Sequence, residues 1–196
     1  EENKERVKEF IKSKDMACSV YASQFFMDAL YNEGMGDYAL QMLTKKDERG
    51  WYHMIEVGAG MTMEAWDLKF KPNLDWNHAW GAAPSNIIAF RLMGIQPSAP
   101  GFAEASIKPE IGTLTLAEIR VPTALGSIYE KITQDEKNYQ VDLELPKGMK
   151  ARVELPVFQK GIGSIQIAGT SISPTLKNGK WVFENIQGKI HIVLKK

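Results

Sequence analysis

The sequence predicts an α+β protein of two domains, with helices in residues 1–97 and an antiparallel β-sandwich in residues 98–196. Three observations support this prediction. Apolar residues in the first part recur at helical spacing, whereas the second part contains short segments in which apolar and polar residues alternate. Between the two parts, Pro97, Pro100 and Gly101 are typical of a break in regular structure.

Four or five helices are expected in the first part. The earliest covers the charged stretch at residues 2–14, and the next places apolar residues at helical spacing over residues 22–30. Gly34 follows the second helix closely enough to end it. Residues 37–44 and 82–93 carry further helical patterns. Because the connection after residue 30 is short, we expect the second and third helices to form an antiparallel hairpin.

The apolar faces of these helices are broader than residues 1–97 can bury by themselves. We therefore expect a larger helical domain to cover them, and we expect the chain to be a fragment of a longer protein. Helix faces that stay uncovered should pair with another surface, such as a second copy of the chain. The sequence thus predicts self-association through the exposed helices.

The second part of the chain is predicted to form a series of short strands. Alternation of apolar and polar residues is clearest at residues 139–145 and 152–155. Apolar segments also recur at residues 114–121, 128–132 and 190–194, with Gly, Pro and Asn between them. Strands at this spacing are typical of an antiparallel sandwich.

The composition argues against several classes of function. The 24 basic and 24 acidic residues give no net charge, so we expect no nucleic-acid partner, and neutral substrates fit better than charged ones. No apolar run approaches the roughly 20 residues of a membrane span, so no membrane partner is expected. Cys18 is the single cysteine and allows no internal disulfide. Three histidines without paired spacing give no metal motif, and we expect neither a metal nor a cofactor.

The densest group of chemically useful side chains lies between residues 64 and 80. Its members are carboxylates, tryptophans, an amide and an imidazole: Glu64, Trp66, Asp67, Asp75, Trp76, Asn77, His78 and Trp80. Aromatic faces pack on the C–H faces of a sugar ring, polar side chains bond its hydroxyls, and a carboxylate can act at the anomeric carbon. The same composition also suits a loop that only packs between two domains, and these residues alone leave both interpretations open.

Consecutive stretches of the chain resemble successive parts of one known family. They are Glu56–Asp67 (EVGAGMTMEAWD), Lys71–Ile88 (KPNLDWNHAWGAAPSNII), Leu92–Pro97 with Pro100–Phe102, Ile107–Pro109 and Leu125–Ile128. The chain from about Cys18 to Pro156 resembles glycoside hydrolase family 78, the bacterial α-L-rhamnosidases. The resemblance implies that residues 1–97 are the last helices of an (α/α) six-hairpin barrel, followed by a C-terminal β-sandwich.

The same resemblance implies a reaction, the hydrolysis of terminal α-L-rhamnosides with inversion at the anomeric carbon. The substrate would be a rhamnose-containing oligosaccharide or glycoside. Glu64 corresponds to the general base, which deprotonates the attacking water. No match to the loop that carries the family's general acid is found in this sequence. We therefore expect that acid upstream of Glu1, and we expect the chain alone to be inactive.

Further site residues follow from the resemblance. His78 corresponds to a sugar-binding histidine, and Trp66 and Trp80 are candidate walls of the pocket. Asp67 is assigned either to bonding the sugar or to orienting the loop. Where many family members carry a tryptophan shortly before the catalytic glutamate, this chain has Met63, which leaves the fine substrate preference open.

Two alternative functions remain. In the first, the tryptophan cluster belongs to a non-catalytic carbohydrate-binding or interaction module, which binds sugar without cleaving it. In the second, the barrel is the same but acts on a different sugar. The upstream sequence distinguishes the first alternative from the α-L-rhamnosidase hypothesis, and substrate profiling distinguishes the second.

Overall fold

A computed structural model describes residues 2–167 and 173–196 of the chain. It contains two units, residues 1–87 and residues 88–196. The first unit is helical, and every described strand lies in the second. The predicted α+β class is therefore confirmed. No helix in the described part of the chain combines the length and the apolar character needed to cross a membrane.

Five α-helices are found among the described residues, and all of them contribute apolar residues to a methionine-rich interior in the first unit, the first helix through the partly buried Ile11. Their bounds are Glu2–Lys14 (α1), Ser23–Asn32 (α2), Gly36–Thr44 (α3), Trp51–Glu56 (α4) and Ala83–Ile87 (α5). A π-helical turn, Ile88–Leu92, continues from α5 into the second unit. The interior includes the fully buried side chains of Met16, Met27, Met63 and Ile87.

Helix α2 ends as the sequence predicts. Gly34 has a φ of 68°, a left-handed conformation that favours glycine. The N–H of Met35 donates to the carbonyl of Leu30 at 2.8 Å, and that of Gly34 donates to Tyr31 at 3.1 Å. This is the Schellman arrangement, which satisfies the last carbonyls of the helix and reverses the chain into α3.

Helix α4 ends in the same way. The N–H of Ala59 donates to the carbonyl of Met54 at 2.9 Å, and Gly58, with a φ of 88°, donates to Ile55 at 3.1 Å. The chain then leaves the helix as a long irregular segment, residues 59–78, which contains most of the predicted site residues. The structure of this segment therefore decides how the site is built.

Within the described residues, ten strands form two five-stranded sheets around one core. They are Ile95–Pro97 (β1), Glu104–Ile107 (β2), Leu116–Thr123 (β3), Gly126–Gln134 (β4), Asn138–Glu144 (β5), Lys150–Pro156 (β6), Ile162–Ile167 (β7), Thr175–Lys177 (β8), Lys180–Ile186 (β9) and Lys189–Lys195 (β10). The sheet orders are β1-β2-β6-β9-β8 and β3-β4-β5-β10-β7. A single buried cluster takes side chains from both sheets, so the predicted sandwich is confirmed.

The alternation of residues explains this arrangement. In β5, Tyr139, Val141 and Leu143 are buried while the residues between them are partly exposed, which is what a strand with one face on the core requires. All described strand pairs are antiparallel except β2 with β6, in which Ile107 lies opposite Val153.

Gly94 connects the segment before β1 to the residue that follows β2. The carbonyl of Gly94 accepts a hydrogen bond from the N–H of Lys108 at 3.0 Å, just after β2. Strand β1 then pairs with β2, so that Ile95 lies opposite Ile107 in the sheet. Strand β1 belongs to the second unit, which begins at Ile88, and the domain boundary after Pro97 stays a prediction.

Candidate functional site

A cleft of about 530 Å³ lies within the helical unit. Three parts of the chain contribute to it: the loop that precedes α2, Arg49 two positions before the start of α4, and the segment after α4. The lining residues are Ala17, Cys18, Ser19, Val20, Tyr21, Arg49, Glu64, Ala65, Trp66, Phe70 and Lys71. Two of the predicted site residues, Glu64 and Trp66, therefore share one concave surface.

Backbone hydrogen bonds bring the two ends of the segment 59–78 together. The N–H of Glu64 donates to the carbonyl of Asp75 at 2.9 Å, and the N–H of His78 donates to that of Thr62 at 2.8 Å. The hydroxyl of Thr62 donates back to the carbonyl of His78 at 3.0 Å. Residues 62–64 consequently lie beside residues 75–78, which places Glu64 and His78 close to each other.

The carboxylate of Glu64 is fixed at both oxygens. Lys71 donates from its ammonium group to Oε1, and the N–H of Asp75 donates to Oε2 at 3.1 Å. These two donors, Lys71 first, hold the pKa of Glu64 below its ordinary value. The side chain is only 16% exposed. Glu64 is therefore an ionised group, and each of its oxygens keeps a lone pair for another partner.

His78 lies near Glu64. Its Nε2 is 3.1 Å from the hydroxyl of Tyr21, and its Nδ1 is 3.6 Å from Oδ2 of Asp75. Potential ligand atoms of Glu64, Asp75 and His78 all lie within 4.8 Å of one another. In the described part of the chain this is the one group that could hold a metal ion, but the Lys71 ammonium already supplies a positive charge at Glu64.

Aromatic rings surround this polar group. The Tyr21 ring centroid is 5.5 Å from that of His78 and 5.9 Å from that of Trp80, which is 79% exposed. Trp66 is only 3% exposed, and its indole N–H donates to the carbonyl of Cys18 at 2.7 Å. It also packs edge-on against Trp51. Trp66 thus forms a fixed wall, whereas Trp80 presents its ring to solvent.

Asp67 has different surroundings from the other predicted site residues. Its Oδ2 lies 2.7 Å from Nε2 of His53, and its Oδ1 accepts the N–H of Lys69 at 2.9 Å. Asp67 does not line the cleft. These contacts favour the loop-orienting alternative over a bond to sugar. Met63, which was expected to replace an aromatic wall, is 1% exposed and packs in the interior of the unit.

Tyr21, Arg49, Phe70 and Lys71 line the cleft although sequence reasoning gave them no role. Tyr21 precedes His78 by 57 residues, and no local spacing indicates such a contact. Lys71 was part of the stretch resembling the family, but a lysine at the start of a loop is usually solvated. The one available signal was the number of charged residues around the Glu64–Trp80 cluster.

Comparisons with known protein families agree with this structure. Residues 1–90 match the family described as the bacterial alpha-L-rhamnosidase 6 hairpin glycosidase domain. Residues 94–169 match the bacterial alpha-L-rhamnosidase C-terminal domain. The chain is also similar to an alpha-L-rhamnosidase of Alteromonas sp. (strain LOR), with 26% identity over 174 residues, which are 84% of this chain and 19% of that protein.

Solved structures show the same fold. The alpha-L-rhamnosidase of Streptomyces avermitilis, complexed with L-rhamnose, matches 97% of the chain with a TM-score of 0.81 and 20% identity. The alpha-L-rhamnosidase of Dictyoglumus thermophilum matches 90% of it with a TM-score of 0.76 and 20% identity. These matches cover 19% and 21% of the two solved chains. The chain therefore spans about a fifth of the length of the relatives that it matches.

Proposed function

Because the chain belongs to the family of bacterial α-L-rhamnosidases, we propose that its cleft is part of an active site that hydrolyses terminal α-L-rhamnosides. One observation carries this proposal. The ionised carboxylate of Glu64 lines a cleft beside Trp66, with a ligand atom of His78 within 4.8 Å of it. A base, an apolar wall and a hydrogen-bonding imidazole are among the parts that a sugar-cleaving site needs.

Glu64 acts as the general base in this proposal. A lone pair on one of its oxygens accepts a proton from a water molecule, and the water oxygen bonds to the anomeric carbon from the face opposite the leaving group. The bond to the leaving oxygen breaks as a general acid protonates that oxygen. The contacts of Lys71 and Asp75 support this role, because they keep Glu64 ionised and hold it in one orientation.

The general acid is proposed to come from elsewhere in a longer protein. Among the described residues, Glu64 is the one carboxylate that lines the cleft. A carboxylate oxygen of Asp75 lies within 4.8 Å of one of Glu64, whereas inverting enzymes separate their two carboxyl groups by roughly 6.5–9.5 Å. Asp75 is thus too close to leave room for the water. The 196-residue chain alone is therefore expected to be inactive.

His78 and Trp80 are proposed to contact the rhamnose. The imidazole can donate from one nitrogen and accept at the other, which suits neighbouring hydroxyls on a sugar ring. Tyr21 touches both residues, with its hydroxyl on the imidazole and its ring edge-on to the exposed indole. Tyr21, which lines the cleft, thus links both residues to it.

The proposal is tested by hydrolysis of an aryl α-L-rhamnoside by a longer protein that includes this chain. We expect Glu64→Gln to lower the rate by roughly 10²- to 10⁴-fold, the typical contribution of a general base. Glu56→Gln is the matched control, since Glu56 is an exposed carboxylate at the end of α4. NMR of the first-formed sugar should show the β anomer, as inversion requires.

Other results would overturn parts of the proposal. Full activity in Glu64→Gln would remove this residue from the mechanism. Rhamnose binding without hydrolysis by the longer protein would favour a non-catalytic carbohydrate-binding module. Cleavage of another aryl glycoside in preference to the rhamnoside would move the activity to a different sugar.

A further inference from the structure

Arg49 lines the same cleft as Glu64, yet its guanidinium has no ion-pair partner among the residues that the structure describes. The acidic residues beside it are already engaged. Asp47 pairs with Lys45 at 3.0 Å, and Glu48 pairs with Lys69. Both carboxylates directly precede Arg49 in the chain, so the absence of a pair does not reflect a shortage of nearby acids.

The side chain of Arg49 is held in place without such a partner. Its guanidinium carbon lies 4.7 Å from the centroid of the Phe70 ring, and the residue is half-buried. Its backbone N–H donates to Oδ1 of Asp47 at 3.0 Å. Stacking on an aromatic ring positions a guanidinium while leaving its N–H donors available.

The charges that line the cleft do not balance. The lining residues include the two cations Arg49 and Lys71 and one carboxylate, Glu64. Lys71 and Glu64 are paired with each other, which leaves the positive charge of Arg49. A half-buried charge with no partner is stabilised by a ligand of opposite sign.

We propose that the cleft binds an acidic sugar, with the carboxylate of a uronic acid paired to Arg49. A guanidinium can donate two parallel hydrogen bonds to a carboxylate, and this geometry makes arginine selective for planar anions. Glu64 repels a second carboxylate, so the acidic group points away from Glu64 and toward Arg49. The net charge of the chain predicts that neutral substrates fit better. The proposal differs from that expectation, because the local charge of Arg49 in the cleft determines which ligand is preferred there.

The binding site itself does not depend on the proposed function. Only the position of the acidic sugar within the substrate rests on the proposed function. In that function, the acidic sugar would be the residue to which the terminal rhamnose is linked. Hydrolysis of an aryl rhamnoside by the longer protein decides the function. Binding of a uronide to the 196-residue chain decides this inference, so the two can fail separately.

The experiment compares methyl β-D-glucuronide with methyl β-D-glucoside, which differ only at C6. Each is titrated into the ¹⁵N-labelled chain while the Arg49 side-chain resonance and the cleft amides are followed by NMR. We expect the glucuronide to bind roughly tenfold more tightly at low salt, as is typical of a charge-assisted hydrogen bond. High salt should remove this preference, because it screens a partly exposed ion pair.

Substitutions test whether Arg49 causes the preference for the glucuronide. Arg49→Gln should abolish it, and Arg49→Lys should retain part of it because the charge stays but the two-pronged geometry is lost. Lys46→Gln is the matched control: Lys46 lies in the same loop and stacks on the Tyr52 ring at 4.8 Å, but it does not line the cleft. That variant should keep the preference.

Equal affinity for the two glycosides would overturn the proposal, as would a glucuronide preference that survives Arg49→Gln or high salt. If Arg49→Gln loses its folded spectrum, the salt dependence in the wild-type chain and the Arg49→Lys result still decide the question. Shifts confined to residues outside the cleft would also overturn it.

Discussion

The two units of this protein differ in which apolar and charged side chains they expose and which they bury. Among the described residues, twelve large apolar side chains are exposed in residues 1–87, but only five in residues 88–196. The sandwich instead buries a carboxyl group, that of Glu130, with both oxygens unpartnered. The helical unit pairs its partly buried carboxylate, Glu64, with the ammonium group of Lys71.

This difference indicates which unit of the protein is suited to binding. A sandwich whose two sheets share one core satisfies its apolar residues internally, and the cost of burying the unpartnered Glu130 carboxyl falls on stability. A unit with exposed aromatic rings and paired charges on a cleft has a surface suited to ligands or to other protein surfaces. Changes in the sandwich should therefore alter stability, and changes in the helical unit should alter binding and association.

The largest expected effect comes from Gly94→Ala in the second unit. Gly94 and Gly34 have the same φ of 68°. A Cβ on Gly94 would lie 2.1 Å from the carbonyl carbon and oxygen of Lys108, whereas one on Gly34 would meet nothing within 4 Å. We expect Gly94→Ala to lower the free energy of unfolding by about 4 kcal/mol, from backbone strain together with the steric clash.

Gly34→Ala is the matched control, because it adds the same methyl group at the same φ without the clash. Its expected cost is about 1 kcal/mol. Amide hydrogen exchange measures each unit separately, through Val153 in β6 and Leu30 in α2. Equal costs at the two glycines would mean that the contact between residues 94 and 108 is not a fixed part of the sandwich.

The next effect concerns the buried carboxyl of Glu130 in β4. Its side chain is fully buried, and burial raises its pKa well above the ordinary value. Glu130→Met replaces the carboxyl by an apolar group of similar length. We expect this change to raise the free energy of unfolding by about 2 kcal/mol near neutral pH, because an unpaired buried polar group is removed.

The pH dependence of stability has a defined sign at Glu130. The folded chain keeps the proton to higher pH than the unfolded chain, whose glutamates ionise near pH 4.3. The stability linked to Glu130 is therefore complete below about pH 4.3 and declines as the pH rises toward the folded-state pKa. Urea unfolding at several pH values should show this decline in the wild type. Glu130→Gln, which cannot ionise, should lose the decline but gain less stability than Glu130→Met.

The sandwich was more predictable from sequence than the site. Alternation at residues 139–145 predicts a strand with one buried face, and β5 shows that pattern because each strand packs one face on the shared core. The end of α2 at Gly34 was also predictable, since the left-handed conformation there favours glycine. The parallel pairing of β2 with β6 was not, because it depends on tertiary packing rather than on local pattern.

The site was predictable in part. Resemblance to a known family identified Glu64, His78, Trp66 and Trp80, and the structure brings these residues into one region of the helical unit. Their roles stay predictions. The hydrogen bond between Tyr21 and His78 joins residues far apart in sequence, and no periodicity or spacing encodes such a contact.

In the helical unit, the pKa of Glu64 depends on its pairing with Lys71. Lys71→Met removes the donor that contributes most to lowering this pKa. The pKa of Glu64 should rise, and ¹³C NMR of its carboxyl carbon across a pH titration measures the change. In a longer protein with hydrolytic activity, the acidic limb of the pH–rate profile should move to higher pH, because the base protonates earlier.

Lys69→Met serves as the control for this titration, since Lys69 pairs with Glu48 rather than with Glu64. It should leave the Glu64 titration unchanged. An unchanged titration in Lys71→Met would mean that the Lys71–Glu64 pair does not persist in solution. Paired charges on the cleft would then no longer distinguish the helical unit from the sandwich.

The smallest expected effect is weak self-association through the helical unit. Phe25 in α2 is 74% exposed and Ile55 in α4 is 68% exposed, and covering apolar side chains of this size is favourable by about 1.5–3 kcal/mol each when burial is complete. Light scattering over a wide range of protein concentration should show a rise in mean mass. Phe25→Ser and Ile55→Ser should reduce that rise, whereas Leu116→Ser, at an exposed position of β3 in the sandwich, should not. A monomer at every concentration, or an equal response to Leu116→Ser, would mean that apolar exposure in the helical unit does not by itself create a binding surface, and that the cleft alone distinguishes the two units.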